Sequence, residues 1–238
     1  MREDCGSGSG PGGPRNSPSK PALFVKAKSG SPGPRAHSQG ALSSSLNQDI
    51  SVKGIIFKHF ESFVCETFGE ETFESVLENT TLETEGVFLG PGSYPASDLF
   101  ALVTTAVGML GVPLNDAVYS FGVYLFGKLL QGHKEYGEGH DLRSFVASVH
   151  SVIHVEVLKL YPGAELPEFR HQIDSEGNMR LEYRSARKLC ALFRGLLDGA
   201  AAHFEEQVSA EELRCMHDGA ECCEFDIRFG SGARRMVG

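Results

Sequence analysis

The spacing of apolar residues changes partway along this 238-residue chain, and that change restricts its fold more than any other feature. Up to about residue 161 they recur at three- and four-residue steps; from Phe169 to Ser185 they alternate. The first period belongs to helices with one buried face, the second to strands with one buried face. GIIFKHFESFVCETF, from Gly54 to Phe68, places Ile56, Phe60, Phe63, Val64 and Phe68 along one stripe. EETFESVLENT predicts a shorter helix and GPGSYPAS a loop, after which Ser97 or Asp98 is placed to cap SDLFALVTTAVGMLG. Pro113 with Asn115–Asp116 opens NDAVYSFGVYLFGKLLQG, and HDLRSFVASVHSVIHVEVLKLYPG predicts one long helix closed by Pro162–Gly163. FRHQIDSEGNMRLEYRS then predicts a hairpin turning at Asp174–Asn178. A helix over ARKLCALFRGLLDGAAAHF follows, then strand-like segments Arg214–His217 and Cys222–Phe229 joined by Asp218–Gly219. Helices first and a sheet last predict an α+β fold: a helical N-terminal subdomain followed by a C-terminal antiparallel sheet with helices.

Composition sets the boundaries. Residues 1–50 are dominated by Gly, Ser and Pro and carry few apolar side chains, too few to offset the entropy of ordering, so a disordered tail is expected there. Residues 51–230 are long enough for a single core, with 231–238 a short tail. The leader has a net charge of +3, which leaves −12 on the remainder of a chain whose total is −9. An acidic domain without a clustered basic face argues against nucleic acid as partner. No apolar run reaches the roughly 18 residues of a membrane span, and the leader lacks the apolar core of a secretory signal. A cytoplasmic location is expected; the basic, acid-poor leader leaves organelle targeting open. Four of the six cysteines fall in the last fifty residues, which in the absence of a secretory signal favours metal or redox chemistry over disulfides.

Three constellations can carry chemistry. His150 and His154 lie four apart on one helix face. Helix-surface or core histidines explain such a pair on spacing alone, and HSVIH lacks the Glu of a zinc-protease helix. A single axial nitrogen to heme iron suits an otherwise apolar face, without a choice between the two. Tyr183-x-Ser185-x-Arg187, if all on one strand, offers two hydroxyls and a guanidinium fork on the same side, a set that grips carboxylates such as heme propionates. A solvated hairpin face is the plainer explanation. Cys190, Cys215 and Cys223 could surround a tetrahedral zinc, the fourth ligand being Glu212, His217, Cys222 or water; reduced structural thiols are the alternative.

These constellations in this order resemble the heme–nitric oxide/oxygen binding (H-NOX) family, the sensor module also found in soluble guanylate cyclase. The matching stretches are VKGIIFKHFESFV, AVYSFGVYLFG, HSVIHVEVLKLYPGAELPEF, EYRSARKLCALFRGLLDGAAAHF and CMHDGAECCEF, covering nearly all of residues 52–229. The resemblance implies heme b held between the two halves, with His154 as its iron ligand. It also implies Tyr183, Ser185 and Arg187 on the propionates, Pro167 pressing on the porphyrin, and Ile56 at an apolar pocket position. Bacterial relatives hold zinc with three cysteines, matched by Cys190, Cys215 and Cys223, and one histidine, replaced here by Glu212.

Relatives that bind oxygen place a Tyr where this chain has Leu192, supported by an Asn where it has Leu125. Bound oxygen gains negative charge and needs a donor, whereas nitric oxide does not, so nitric oxide and carbon monoxide are the expected ligands; Tyr119 and Tyr124 are the donors that could still reach the pocket. The resemblance implies that nitric oxide weakens the bond from iron to His154, letting the heme flatten against Pro167 and the helix shift. With little chain after Phe229, the expected role is not enzymatic but a signal passed in trans to a histidine kinase, a cyclic-dinucleotide enzyme or a cyclase. Two other classes stand beside it: a zinc-thiolate redox sensor, and a heme-free small-molecule-binding module of the vinyl-reductase type.

Overall fold

A computed structural model describes residues 51–160 and 164–230. The expected tails, 1–50 and 231–238, and the helix end at Tyr161–Pro162–Gly163 lie outside the described residues. The helical half begins with β1 (Ser51–Lys53), α1 (Gly54–Phe68) and α2 (Glu70–Glu78), followed by β2 (Ser93–Pro95), α3 (Ala96–Leu110) and α4 (Leu114–Gly132). β1 pairs antiparallel with β2, Val52 opposite Tyr94. The segment expected as a loop thus holds a strand, too short at three residues to show alternation. Where β1 runs into α1, a Cβ on Gly54 would sit 1.9 Å from the Leu89 carbonyl oxygen, so only glycine fits.

No side chain caps α3. Asp98, expected as a candidate cap, is 1 % exposed and reaches the preceding loop instead. Its carboxylate accepts from the Glu83 and Thr84 amides at 2.7 and 3.1 Å and from the Thr84 hydroxyl at 2.6 Å.

The helix expected over residues 140–163 is broken. α5 (Leu142–Ser148), started by a reciprocal Asp141–Ser144 capping box, gives way to a π turn over Val149–Ile153, and α6 (His154–Leu160) resumes. Such turns insert a residue into the helical repeat and re-aim the next stretch of helix; the first residue re-aimed here is His154.

The second half is a four-stranded antiparallel sheet ordered β3 (Glu168–Ile173), β4 (Met179–Arg184), β6 (Cys223–Phe229), β5 (Val208–Arg214), with α7 (Cys190–His203) packed on it. Along β4, Met179, Leu181 and Tyr183 are buried while Arg180, Glu182 and Arg184 are exposed, as the sequence alternation requires. The final hairpin differs from expectation. β5 ends at Arg214, and Met216–Asp218 form a 3-10 turn rather than a strand, with the Cys215 carbonyl accepting from the Asp218 and Ala220 amides. Five of the seven β5 residues are Glu or Arg or small, which conceals its alternation.

Two cores result. Phe57, Phe60, Val64, Val76 and Leu102 centre the helical half; Leu142, Met179, Leu181, Phe225 and Ile227 centre the sheet half. α4 and α7 serve both: Phe121 and Leu125 point into the first and Phe126 into the second, while Leu192 packs on the first and Phe193 on the second. The two helices meet so closely that a Cβ on Gly195 would lie 2.1 Å from the Tyr119 carbonyl oxygen.

Candidate functional site

His154 opens α6 directly after the π turn and leans back on the sheet, its ring stacked on Phe169 at 5.4 Å and edge-on to His150 at 6.2 Å. Its Nδ1 is buried and has no hydrogen-bond partner. Burial, helped by the charge of His150 and opposed by the Pro167 backbone, lowers its pKa to about 4. The imidazole is therefore neutral near pH 7, the form that offers a lone pair to a metal. His150 is exposed. Of the two histidines that spacing could not separate, His154 is the one with an unsatisfied buried nitrogen.

Tyr183 lies on β4 opposite Phe169 on one side and Cys223 on the other, its ring against Phe169 and Phe193. Burial pushes its hydroxyl up to about 12, with a Ser185 hydrogen bond opposing. Ser185 and Arg187 do not continue the strand face as expected. β4 stops at Arg184, and the chain turns: the Arg187 amide donates to Ser185 Oγ at 3.3 Å and the Lys188 amide to the Ser185 carbonyl at 3.1 Å. Lys188 has a φ of 49°, which no strand or helix accepts, and this delays α7 to Cys190 instead of Ala186. Arg187 stays within electrostatic reach of Tyr183 and is half-buried, its guanidinium donating to the Glu165 carbonyl and its pKa lowered by burial. The turn thus keeps all three donors together although the strand does not.

Behind Tyr183, Cys190 at the start of α7 lies 3.7 Å from Cys215, and Cys215 lies 3.8 Å from Cys223, measured between sulfurs. Glu212 faces inward from β5, and one ligand atom from each of these four residues lies within 4.8 Å of all the others. The other two candidates for that corner are elsewhere: His217 is bonded to the Lys188 carbonyl, and Cys222 is outside the group. Hydrogen bonding with Cys190, Cys215 and the Met216 amide holds Cys223 well below the ordinary thiol range, while Cys215, Cys223 and burial push Cys190 up. Burial, with a Cys215 hydrogen bond, raises the Glu212 carboxyl to about 7, and its Oε1 is buried without a partner. Three clustered sulfurs and an orphaned carboxyl oxygen suit a thiophilic divalent cation.

A family profile described as Haem-NO-binding matches residues 53–212. The chain belongs to the H-NOX family. It is 35 % identical to an H-NOX protein from Shewanella oneidensis solved in the Fe(II)NO ligation state, covering 75 % of this chain and 99 % of that one with a TM-score of 0.71. To the H-NOX from Shewanella woodyi, solved in the Fe(II)CO state, it is 32 % identical over 79 % of this chain and 99 % of that one, TM-score 0.67. To an unliganded Fe(II) H-NOX protein from K. algicida the identity is 26 % over 76 % and 98 %, TM-score 0.68. Helices with an antiparallel sheet are thus the H-NOX fold, the family binds heme, and H-NOX domains are sensor domains rather than enzymes.

The remaining residues that the resemblance singles out lie on the helical side. Ile56 is half-buried against that core, Leu125 is buried in it and Leu192 packs on it from α7. Tyr119 and Tyr124, the donors that could have made this side polar, are engaged at the surface: Tyr119 donates to Asp198 at 2.5 Å and Tyr124 to Glu66 at 2.9 Å. Phe169 went unnoticed in the sequence. It touches both His154 and Tyr183, and its place two residues after Pro167 on an alternating strand is the signal that would have found it. Among the described residues no single helix is long and apolar enough to cross a membrane.

Proposed function

We propose that this chain is a heme-based nitric oxide sensor in which His154 supplies the protein ligand to iron. The observation that carries this reading is the half-buried, neutral imidazole with an unsatisfied nitrogen, in a domain whose family binds heme. A b-type heme, when bound, supplies an iron that takes up diatomic gases. Everything else is the work of the chain. Tyr183, Ser185 and Arg187 offer two hydroxyls and a fork of donors to the propionates. Pro167, one residue before β3, stands beside His154, so a displacement of α6 reaches the sheet through Pro167 and Phe169. Leu125 and Leu192 bring no hydrogen-bond donor, which favours nitric oxide and carbon monoxide over oxygen. A gas with different affinity for two arrangements of α6 shifts their populations, and that is what a sensor requires. The proposed output is a signal in trans to a kinase, a cyclic-dinucleotide enzyme or a cyclase, with zinc held by Cys190, Cys215, Cys223 and Glu212.

The test is an absorption spectrum of the reconstituted ferrous protein, with and without nitric oxide, for wild type, His154→Gly and His150→Gly. The reading requires a heme band that shifts with the gas, and loss of native ligation in His154→Gly alone. A protein that stays colourless, or one whose ligation is lost with His150, overturns it. The three clustered sulfurs favour one second reading, a thiolate redox sensor; signalling lost in Cys223→Ser with heme and gas response intact would select it.

A further inference from the structure

His217 is not among the four residues gathered at the cysteines, yet it is tied to the segment that carries the carboxylate clamp. Its Nε2 lies 2.8 Å from the Lys188 carbonyl oxygen. A carbonyl only accepts, so the ring proton sits on Nε2. In return, Lys188 Nζ donates to the Met216 carbonyl at 3.2 Å. Two bonds in opposite directions therefore fasten the turn at residues 185–189 to the 3-10 turn Met216–Asp218.

The fastening is needed where it occurs. Lys188 is one of two non-glycine residues with positive φ among the described residues, a conformation that persists only when its surroundings impose it. If Lys188 relaxes, Ser185 and Arg187 lose their mutual placement, because the Lys188 amide closes the turn on the Ser185 carbonyl. The other end of the latch is fixed to the same strand that fixes Tyr183: the Met216 amide donates to Cys223 Sγ at 3.3 Å, and Cys223 is the register partner of Tyr183. Through His217, all three clamp residues take their position from one place, the start of β6.

We infer that His217 is a positioning residue for heme retention, holding Ser185 and Arg187 in place for the propionates through its hydrogen bond to the Lys188 carbonyl. The inference rests on the heme reading above. The experiment follows heme loss from the full-length ferric holoprotein to excess apomyoglobin. His217→Ala should release heme about three- to tenfold faster, the range one lost hydrogen bond supports, while His217→Gln, whose amide can still donate, stays within about twofold of wild type. Lys188→Met removes only the second bond and should also accelerate release, giving an independent result even if His217→Ala does not fold. In an Arg187→Ala background, His217→Ala should add clearly less than it does alone, because one of the two groups it positions is gone. Wild-type release rates in both His217→Ala and Lys188→Met, failure of Gln to restore retention, or additive acceleration with Arg187→Ala each overturn the inference. A wild-type chain that takes up no heme removes the heme reading itself.

Discussion

Acid should destabilise the heme-free protein through His154 by a definable amount. The ring has an ordinary pKa of 6.5 when the chain is unfolded and about 4 when folded, because burial and the charge of His150 disfavour its protonated form. Between these values the unfolded chain binds a proton that the folded chain refuses. The stability associated with the neutral ring is thus complete above about pH 6.5 and is lost as pH falls toward 4. Integrating over that window gives a loss of about 2 kcal/mol at about pH 5 and about 3 kcal/mol at about pH 4. Urea unfolding of heme-free wild type and His154→Asn, followed by circular dichroism across this range, isolates the effect, since every other titrating group is common to both chains. The wild-type curve should fall toward the variant by about 2 kcal/mol from about pH 7 to about pH 5. Parallel curves would mean that the ring is not held neutral by its surroundings, and the argument for His154 as a ligand would lose its basis. Loading with heme should remove the effect, because a coordinated nitrogen is not free to protonate.

Other outcomes follow from the same geometry. Asp98→Ala leaves the part-buried Glu83 and Thr84 amides without their acceptor and should cost about 1–3 kcal/mol in urea unfolding, with little change in the heme spectrum. Gly195→Ala forces α4 and α7 apart and should cost about 1–3 kcal/mol, read as a lowered thermal midpoint. Tyr119→Phe loses the bond to Asp198 across the same seam and should cost about 1 kcal/mol in the same measurement. Leu192→Tyr with Leu125→Asn adds donors to an apolar wall and should raise oxygen affinity above that of wild type in an equilibrium gas titration. Zinc analysis should give about one metal per chain, lost in Cys215→Ser and retained more weakly in Glu212→Ala.

Much of the fold was legible because periodicity survives wherever one face is buried over several turns. α1, α4, α7 and β4 stand close to where their apolar spacing put them. The features that escaped are those where a local interaction overrides the pattern. Asp98 looked like a cap because caps and loop anchors use the same carboxylate. The π turn before His154 inserts a residue without disturbing the apolar repeat enough to show. Tyr183, Ser185 and Arg187 were read as one strand face, but the strand stops at Arg184 and a lysine with positive φ turns the chain, and no lysine advertises that. Glu212 was one of four candidates for its corner, and only the inward face of β5 selected it.

At Gly122 and Gly195 the contact between α4 and α7 is backbone against backbone, with no side chain between to compress or stretch. Such a joint resists separation and compression alike, but it tolerates rotation about the point of closest approach. A push delivered at α6 would then be felt as a swing of one half about that pivot, smallest at Gly195 and growing with distance from it.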